Sequence, residues 1–493
     1  MTITSDARVL QDPALLRTAA YVDGQWIDQG DSGRFGVHNP ATGEELAELP
    51  SLSRAQVSGA IDAAGRALPG WRALSGKQRS LVLRGWFDLV TEHTEDLARL
   101  ITLEEGKPLA EARGEMAYAA SFIEWFAEEA KRIRGDIFAA PDPSRRVLVL
   151  KEPVGVCAAI TPWNFPAAMI TRKAAPALAA GCTMVVKPAE QTPLTALALA
   201  ELAERAGVPA GVFNVVVGKA REIGPELTGN AMVRKVTFTG STEVGRLLIA
   251  QSAETVKKVS MELGGNAPVL VFDDADLEVA VTGVLAAKYR NTGQACISAN
   301  RVYVQSGIYD RFAEELAKRV GEMSVGDGFE PGVLQGPLID EAAVAKVEEH
   351  VADATSRGAR VICGGARHER GGLYFQPTVL ADVLPGMVIT REETFGPVTP
   401  LIRFTGEADA VSMANDTEFG LAAYLYSRDA ERVWRVAAAI EAGMIGVNSG
   451  LISNEVAPFG GIKQSGIGRE GSVYGIDEYL EMKYLSWEGA GPV

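Results

Sequence analysis

Cys296 is the residue with the clearest potential for covalent chemistry. It ends the segment Asn291–Cys296 (NTGQAC), whose polar and turn-forming residues favour the partial exposure that a reactive thiolate needs. The other cysteines, Cys157, Cys182 and Cys363, lie in apolar segments and are interpreted as structural. A lone cysteine is more often a small buried hydrophobic residue than a nucleophile, so both interpretations stay open at this point.

A nucleophilic Cys296 would need a base, and Glu262 is a better candidate than any histidine. None of the four histidines lies in a comparable strand-end or glycine-rich turn. Glu262 closes the predicted strand Val256–Glu262, and a carboxylate at the end of a parallel strand points into the ligand crevice of an α/β protein. Burial there would raise its pKa toward the range that suits a general base. A solvated strand-end carboxylate is the alternative, and this fragment does not decide between them.

A glycine-containing turn, Gly240–Gly245 (GSTEVG), follows the predicted strand Val233–Phe238 and should open a helix. It matches neither the P-loop pattern nor the dinucleotide fingerprint GxGxxG. Amide groups at such a turn can face a phosphate. An ordinary tight turn explains the segment equally well.

Composition excludes several classes of function. The 493 residues carry a formal net charge of −15, which makes nucleic acid a poor partner. Four cysteines and four scattered histidines argue against a disulfide scaffold and a zinc site, so we expect no metal and a reducing compartment. The N-terminus lacks the features of a signal peptide, and the longest apolar stretch, roughly 174–186, is too short to span a bilayer. The sequence therefore predicts a cytoplasmic protein without a membrane partner.

The elements around these residues predict an α/β fold. Residues 53–135 have helical periodicity and begin with a capping box at Ser53 and Gln56. Short β-rich runs then alternate with helical segments, which indicates parallel sheets, and a second series from residue 300 to 448 favours two α/β units over one wide sheet. Thr192 and Pro193 predict the N-cap and first residue of a helix that runs to Ala206.

Seven ordered motifs resemble those of the NAD(P)-dependent aldehyde dehydrogenase superfamily, over nearly the whole chain. They are TPWNFP (Thr161–Pro166), VVKPAE (Val185–Glu190), FTGSTEVG (Phe238–Gly245), MELGGNAP (Met261–Pro268), GQACISANR (Gly293–Arg301), EETFGPV (Glu392–Val398) and PFGGIKQSGIGRE (Pro458–Glu470). The resemblance implies that Cys296 attacks an aldehyde to give a thiohemiacetal. It also implies that the side-chain amide of Asn164 stabilises the oxyanion, and that Glu262 activates the water that hydrolyses the thioester.

The same resemblance implies a nicotinamide cofactor site. Trp163 and Asn164 would lie beside the nicotinamide half, Lys187 and Glu190 would face the adenosine ribose, and Gly240 with Ser241 would line the pyrophosphate turn. Glu393 would bind the nicotinamide ribose, Phe395 would pack near the ring, and Thr161, Pro188, Ala189 and Leu263 complete the set. Because a carboxylate at Glu190 would repel a 2′-phosphate, we expect NAD to be preferred and NADP to be possible.

Within the superfamily, the segments Met169–Lys173, Tyr289–Asn291 and Gly450–Gly461 resemble the succinate-semialdehyde dehydrogenase branch. That resemblance implies a substrate with a carboxylate opposite its aldehyde, bound by Arg172, Arg290 and Ser453. Glutarate-semialdehyde oxidation and a broader aldehyde specificity are the alternatives. A CoA-acylating enzyme is disfavoured by Glu262, and a non-catalytic protein is disfavoured by the presence of nucleophile, amide and base together.

The implied architecture is aldehyde dehydrogenase-like. We expect a Rossmann-type cofactor domain (1–144 and 161–263), an α/β catalytic domain (264–474) and a small β oligomerisation flap (145–160 and 475–493). In the family such a flap pairs across subunits, so a homodimer or homotetramer is expected.

Overall fold

The computed structural model describes residues 9–489 and contains two large, mostly parallel β-sheets flanked by helices. The α/β class is confirmed, and the strands of the second series share one sheet as the sequence predicts, but that sheet also contains the strand Ala267–Val271 from the first series. The predicted cofactor and catalytic domains stay predictions, because a division into sheets does not fix where a domain ends. Residues 1–8 of the predicted cofactor domain and residues 490–493 of the predicted flap lie outside the described part of the chain.

The order of strands across each large sheet differs from their order along the chain. From edge to edge, the eight-stranded sheet contains β2 (Gln25–Ile27), β1 (Ala20–Val22), β9 (Phe213–Val215), β8 (Thr183–Lys187), β7 (Val156–Ile160), β10 (Val233–Thr239), β11 (Lys258–Glu262) and β21 (Gly466–Ile467). The seven-stranded sheet contains β14 (Arg360–Cys363), β15 (Thr378–Ala381), β16 (Val398–Phe404), β13 (Ala299–Gln305), β12 (Ala267–Val271), β18 (Ala422–Tyr426) and β19 (Met444–Val447). Two further pairs join β3 (Arg34–His38) to β4 (Glu45–Pro50), and β17 (Phe419–Gly420) to β20 (Ile462–Lys463).

Helices connect and cover these strands. They are α1 (Arg54–Arg72), α2 (Gly76–Glu92), α3 (Thr94–Glu105), α4 (Leu109–Glu129), α5 (Ala168–Ala180), α6 (Leu194–Arg205), α7 (Ala220–Gly229), α8 (Thr242–Ser252), α9 (Leu277–Tyr289), α10 (Tyr309–Gly321), α11 (Glu341–Ser356), α12 (Val388–Arg391), α13 (Glu407–Asn415) and α14 (Ala430–Ala439). The predicted capping box of Ser53 and Gln56 begins α1. Within residues 9–489, no helix combines the length and the apolar character that crossing a bilayer requires.

The strands nearest the predicted site are parallel, and their carboxyl ends lie at the same end of the eight-stranded sheet. In the parallel pairs, Ile160 is in register with Lys187. Thr239 is likewise in register with Glu262. The segments that leave these strands therefore begin side by side, at the edge where ligands bind in open α/β sheets.

Burial on both faces explains why the strands of the seven-stranded sheet are continuously apolar. In β12, Val269 and Val271 pack into one hydrophobic cluster, while Leu270 packs into a second cluster on the opposite face. A parallel sheet covered by helices on both faces needs apolar side chains on both sides. These strands are therefore visible in the sequence as apolar runs without alternation.

The start of α6 differs from the prediction. The helix begins at Leu194, and Thr192 supplies no side-chain cap. Instead, the buried carboxylate of Glu104, in α3, accepts hydrogen bonds from the backbone N–H groups of Leu194 (2.7 Å) and Thr195 (2.9 Å). A residue 90 positions away thus replaces the local cap, which no local pattern could indicate.

A separate antiparallel sheet contains β22 (Leu480–Glu488), β6 (Arg145–Pro153) and β5 (Asp136–Ala139), in that order. The predicted flap included residues 156–160, and this part of the prediction is wrong, because β7 lies within the eight-stranded sheet. The chain turns out of the flap at Gly155 (φ +126°), and β7 is buried whereas β6 is largely not. The prediction also missed β5, whose four residues are all exposed.

Candidate active site

A cavity of about 390 Å³ lies at this edge of the eight-stranded sheet. Eight of the sequence-predicted residues line it: Trp163, Asn164, Gly240, Ser241, Leu263, Cys296, Glu393 and Phe395. The candidate nucleophile and the candidate oxyanion donor therefore face one space, together with residues predicted for the nicotinamide half of a cofactor.

Cys296 is partly buried and follows a tightly constrained loop. Asn291, Thr292 and Gly293 have φ angles of +51°, +55° and +77°, and a Cβ on Gly293 would lie 2.2 Å from the carbonyl oxygen of Gly396. Burial raises the pKa of the Cys296 thiol to about 12, while the nearby Arg172 guanidinium acts to lower it. The loop thus presents one thiol to the cavity, and that thiol needs local help to ionise.

Asn164 is buried and joined to the loop that precedes Cys296. Its side-chain Nδ2 donates to the carbonyl oxygen of Gln294 at 2.9 Å. An amide nitrogen carries two hydrogens, so one remains available toward the cavity that Asn164 and Cys296 both line.

Glu262 is the last residue of β11 and is 2% exposed, so the alternative of a solvated carboxylate is wrong. Burial, with the neighbouring carboxylate of Glu470, raises its pKa well above the usual range, while Arg172 and Lys173 oppose the rise. Its Oε2 has no hydrogen-bond partner within residues 9–489. Glu262 does not line the 390 Å³ cavity, although the next residue, Leu263, does.

The turn after β10 is closely packed. A Cβ on Gly240 would lie 2.4 Å from the ring of Phe238, which explains the glycine. The amide of Gly240 is not free, because it donates to the carbonyl oxygen of Glu262 at 3.1 Å. Ser241 caps α8 by accepting from the backbone N–H of Val244, so only the remaining first-turn amides of α8 are available to an anion.

Two aromatic rings and the carboxylate of Glu393 also line the cavity. The rings of Trp163 and Phe395 meet edge to face, with centroids 5.6 Å apart. The carboxylate of Glu393 accepts from the amide of Gly265 at 3.4 Å. Burial raises the pKa of Glu393 to about 7, while Lys346, which also lines the cavity, acts to lower it.

The residues predicted for the adenosine half lie outside this cavity, at the neighbouring strand ends. Thr161 is buried, and its amide donates to the carbonyl oxygen of Lys187 at 3.1 Å. Pro188 and Ala189 are buried in the segment that follows β8, and Glu190 is partly exposed.

The predicted substrate residues gather around a buried hydroxyl that the sequence analysis missed, that of Tyr118 in α4. The Arg172 guanidinium and the Ser453 hydroxyl lie beside it, and Arg290 is near enough to act on its charge. Burial raises the pKa of Tyr118, and its hydroxyl has no partner of acceptable hydrogen-bond geometry among the described residues. The helical pattern around Tyr118 indicates a core position, so nothing in the sequence placed it beside the predicted substrate residues.

Arg172 is fully buried and shares a carboxylate with its neighbour in the chain. Its Nε lies 2.5 Å from Oε2 of Glu470, and Lys173 bonds the other oxygen of the same carboxylate. The guanidinium lies 4.0 Å from the ring centroid of Phe459, and its Nη1 has no protein partner in the described part of the chain. Glu470 ends the last of the seven motifs, but its pairing with Arg172 was not predicted.

Arg290 is partly buried at the end of α9, with its guanidinium 4.8 Å from the ring centroid of Phe165. The structure therefore brings all three predicted substrate residues to one region. None of them lines the 390 Å³ cavity.

Comparison with known proteins agrees with this geometry. The sequence profile of the Aldehyde dehydrogenase family matches residues 26–485. An NADP(+)-dependent succinate-semialdehyde dehydrogenase of Escherichia coli (strain K12) is 63% identical over 476 residues, which cover 97% of this chain and 99% of that protein. A glutarate-semialdehyde dehydrogenase of Pseudomonas aeruginosa is 61% identical over 480 residues, covering 97% and 99%. A crystal structure of an E. coli NADP-dependent enzyme superposes with a TM-score of 0.97 at 62% identity, covering 97% of this chain and all of that one.

The prediction that NAD is preferred is wrong, because similar proteins are named as NADP-dependent. The prediction assumed a free carboxylate at Glu190. In the structure, Oε1 of Glu190 accepts from the amide of Ala220 at 2.8 Å and lies 3.5 Å from Nζ of Lys187. The amide and the ammonium group partly offset the negative charge, which weakens its repulsion of a 2′-phosphate.

Proposed function

The chain belongs to the aldehyde dehydrogenase family, and we propose that it oxidises succinate semialdehyde to succinate with NADP as the hydride acceptor. The observation that carries the choice of substrate is the group of donors gathered around the hydroxyl of Tyr118: the buried guanidinium of Arg172 and the hydroxyl of Ser453, with Arg290 close by. Nη1 of Arg172 has no well-aligned hydrogen-bond acceptor in the described chain, and a substrate carboxylate would supply one.

Charge at this position supports a carboxylate-bearing substrate. Arg172 and Lys173 both pair with Glu470, so two cations share one paired anion, and the raised pKa of the nearby Glu262 favours its neutral form. Arg290 adds a further cation close by. An aldehyde with a carboxylate at its far end would balance this charge and bond the free donors.

The covalent chemistry takes place at Cys296. As the thiolate, its sulfur attacks the aldehyde carbon, and the resulting oxyanion accepts hydrogen bonds from Nδ2 of Asn164 and the backbone N–H of Cys296. A nicotinamide held beside Trp163 and Phe395 would supply the acceptor for the hydride of this carbon, which leaves a thioester on Cys296. Glu262 then takes a proton from water, the hydroxide attacks the thioester, and the carboxylic acid leaves as the thiol is restored.

The residues around the cavity fit a nicotinamide. The edge-to-face pair of Trp163 and Phe395 offers an aromatic wall, and Glu393 can accept from ribose hydroxyls once it is ionised. The remaining first-turn amides of α8, beside Gly240 and Ser241 in the cavity wall, would face the pyrophosphate.

Replacing Arg290 tests the choice of substrate. In Arg290→Ala, KM for succinate semialdehyde should rise about 10- to 100-fold, the value of a charge-assisted hydrogen bond, while KM for propanal stays within a few fold. Arg234→Ala, which removes an exposed arginine, is the matched control and should change neither. Equal losses on both aldehydes would contradict a carboxylate site.

For the cofactor, we propose that the ammonium group of Lys187 meets the 2′-phosphate of NADP. Lys187→Met should lower kcat/KM for NADP by about tenfold and leave kcat/KM for NAD nearly unchanged, because only NADP carries the phosphate. Glu190→Gln should raise kcat/KM for NADP relative to kcat/KM for NAD, because it removes the remaining negative charge. A higher kcat/KM with NAD in the unmodified protein would overturn the proposal.

Glutarate semialdehyde, one methylene longer, is the second candidate, because a 61% identical relative is named for it. One methylene is worth only about 1–3 kcal/mol in a pocket. NADPH formation from a series of semialdehydes with two to six carbons would rank the two substrates, and a maximum at five carbons would favour glutarate semialdehyde.

The exposed apolar residues of the flap support a homo-oligomer, a dimer or tetramer formed through this sheet. Ile137, Met482 and Trp487 are 74%, 77% and 62% exposed on β5 and β22, more than a lone subunit keeps in water. Met482→Glu should shift the mass measured by light scattering toward a monomer.

The four free thiols support a cytoplasmic, reducing location.

A further inference from the structure

A buried lysine touches the backbone of the proposed oxyanion donor. Lys107 follows α3, is 1% exposed, and donates from Nζ to the carbonyl oxygen of Asn164 at 2.7 Å. The same Nζ bonds Oε2 of Glu115 at 2.6 Å and lies 3.9 Å from the ring centroid of Phe165. The ammonium group therefore joins the first helical region directly to the segment that carries Asn164.

A second donor reaches the same carbonyl from the other side. Nδ2 of Asn291, in the loop before Cys296, lies 3.0 Å from the carbonyl oxygen of Asn164 and 2.7 Å from Oε1 of Glu105. Its backbone N–H donates to Oε2 of Glu111 at 2.7 Å. The loop that carries the nucleophile and the segment that carries the oxyanion donor are thus bonded to each other and to one set of buried carboxylates.

Glu115 also fixes the chain just beyond Asn164. Its Oε1 accepts from the amides of Ala167 (2.9 Å) and Ala168 (3.3 Å), at the start of α5. Together with the bond to Lys107, this holds the Asn164 segment both at the residue itself and three residues later. We name the group of Lys107, Glu105, Glu111, Glu115 and Asn291 the Lys107 cluster.

We infer that Lys107 and Asn291 are positioning residues, which hold the backbone carbonyl of Asn164 so that its side-chain amide faces the oxygen formed at Cys296. The inference rests on the proposed role of Asn164 as oxyanion donor. Two converging donors leave this carbonyl little freedom, and one of them is a charged group, whose hydrogen bonds are the stronger kind. A displacement of about 1 Å at a reacting centre lowers a rate by as much as 10²-fold.

Single substitutions measure the effect on the chemical step. In Lys107→Met, we expect kcat with succinate semialdehyde to fall about 10- to 100-fold, since an oxyanion donor is worth about 10²–10³ and in this variant it is misplaced rather than removed. KM for NADP and the rate at which iodoacetamide alkylates Cys296 should stay within about threefold, because neither depends on the oxyanion. Asn291→Gly removes the second donor and keeps a residue that tolerates the positive φ.

A double-mutant cycle separates positioning from a merely structural role. Asn164→Ala removes the amide, so adding Lys107→Met to it should lower kcat by less than about threefold further. If the two losses multiply instead, Lys107 does not act through Asn164 and the inference is wrong. If Asn164→Ala alone keeps full kcat, the proposed role of Asn164 fails instead, which is a different result.

Glu104→Gln is the matched control, because Glu104 is an equally buried carboxylate nearby that caps α6 and touches neither Asn164 nor Asn291. It should keep kcat within about threefold. A loss equal to that of Lys107→Met would assign the effect to general disturbance of the buried charges and overturn the inference. If Lys107→Met yields no folded protein, the cycle of Asn291→Gly with Asn164→Ala decides by the same criterion.

Discussion

Two buried ion clusters lie near Cys296, and they differ in how fully their charged side chains are hydrogen-bonded. In the Lys107 cluster, both oxygens of Glu105 and both oxygens of Glu115 accept hydrogen bonds, and the unpartnered atom in the described chain is the neutral Oδ1 of Asn291. The second group, which we name the Arg172 cluster, consists of Arg172, Lys173, Glu470, Glu262 and Tyr118. It leaves Nη1 of Arg172, the hydroxyl of Tyr118 and Oε2 of Glu262 without protein partners in the described chain.

This difference distinguishes residues that stabilise the fold from residues that act in binding or catalysis. A buried polar group that is fully bonded stabilises one geometry, whereas an unbonded one lowers stability and persists where a ligand or a reaction uses it. Substitutions of the poorly bonded groups of the Arg172 cluster, Glu262 and Tyr118, should therefore lower activity without lowering stability. Substitutions of the carboxylates in the Lys107 cluster should lower stability. Variants of both clusters, together with the pH dependence of the unmodified protein, test this contrast.

Glu262→Gln in the Arg172 cluster should lower kcat about 10²- to 10⁴-fold, because it removes the proposed base for thioester hydrolysis. Stopped-flow measurement should still show a burst of one NADPH per site, because hydride transfer precedes hydrolysis. Tm should not fall, since the lost carboxylate oxygen was unbonded. Loss of the burst along with kcat would place Glu262 in an earlier step.

The pH dependence of the unmodified protein belongs to the same test. The pKa of Glu262 is raised, so the carboxylate needed as a base is lost by protonation at a higher pH than for an ordinary glutamate. The hydrolysis rate should therefore fall as pH decreases, beginning at a higher pH than an ordinary glutamate would give, and Glu262→Gln should abolish this dependence.

Glu115→Gln in the Lys107 cluster should destabilise the protein by about 3 kcal/mol, because it removes the nearest counter-charge of the buried ammonium of Lys107 and leaves only Glu105 at 3.9 Å. Thermal unfolding followed by circular dichroism measures the change. Glu124→Gln, on the exposed side of the same helix, removes a partly exposed ion pair with Arg84 and should cost less than about 1 kcal/mol. Similar losses of stability in both variants would contradict the prediction that the Lys107 cluster stabilises the fold.

Tyr118→Phe should lower kcat/KM for succinate semialdehyde about tenfold or less, the value of one hydrogen bond, and leave propanal oxidation unchanged. Tm should stay the same or rise, because the hydroxyl has no protein partner to lose among the described residues. A lower Tm with unchanged specificity would assign Tyr118 to the scaffold rather than to substrate binding.

The smallest of the predicted effects is the change of Tm with pH that the carboxyl group of Glu104 causes. Burial raises its pKa to about 8, so between about pH 5 and 8 the folded protein holds a proton that the unfolded chain has released. The contribution of this group to stability is complete at low pH and falls as pH rises through this window. Tm of the unmodified protein should therefore decrease relative to Glu104→Gln by roughly 1 °C per pH unit. A constant difference would contradict the raised pKa.

Much of the fold was predictable because its signals are local. The buried parallel strands appear as apolar runs, and the glycine of the turn at Gly240 is required by contact with Phe238, two residues away. The short exposed strand β5 was missed because it has no apolar run, and β7 was placed in the wrong sheet because β6 and β7 are nearly continuous in the chain. The cap of α6 was missed because Glu104 is distant in sequence.

Residue types and their spacing were enough to establish the class of chemistry: a cysteine in a polar turn, a carboxylate at a strand end and seven ordered motifs. Which charges are compensated became visible only in the folded chain. Glu190 is bonded to Ala220, whereas Nη1 of Arg172 is left without an acceptor in the described residues. Residue type limits what a side chain can do, but its charge balance depends on partners brought from afar, such as Glu470, which reaches Lys173 across 297 residues.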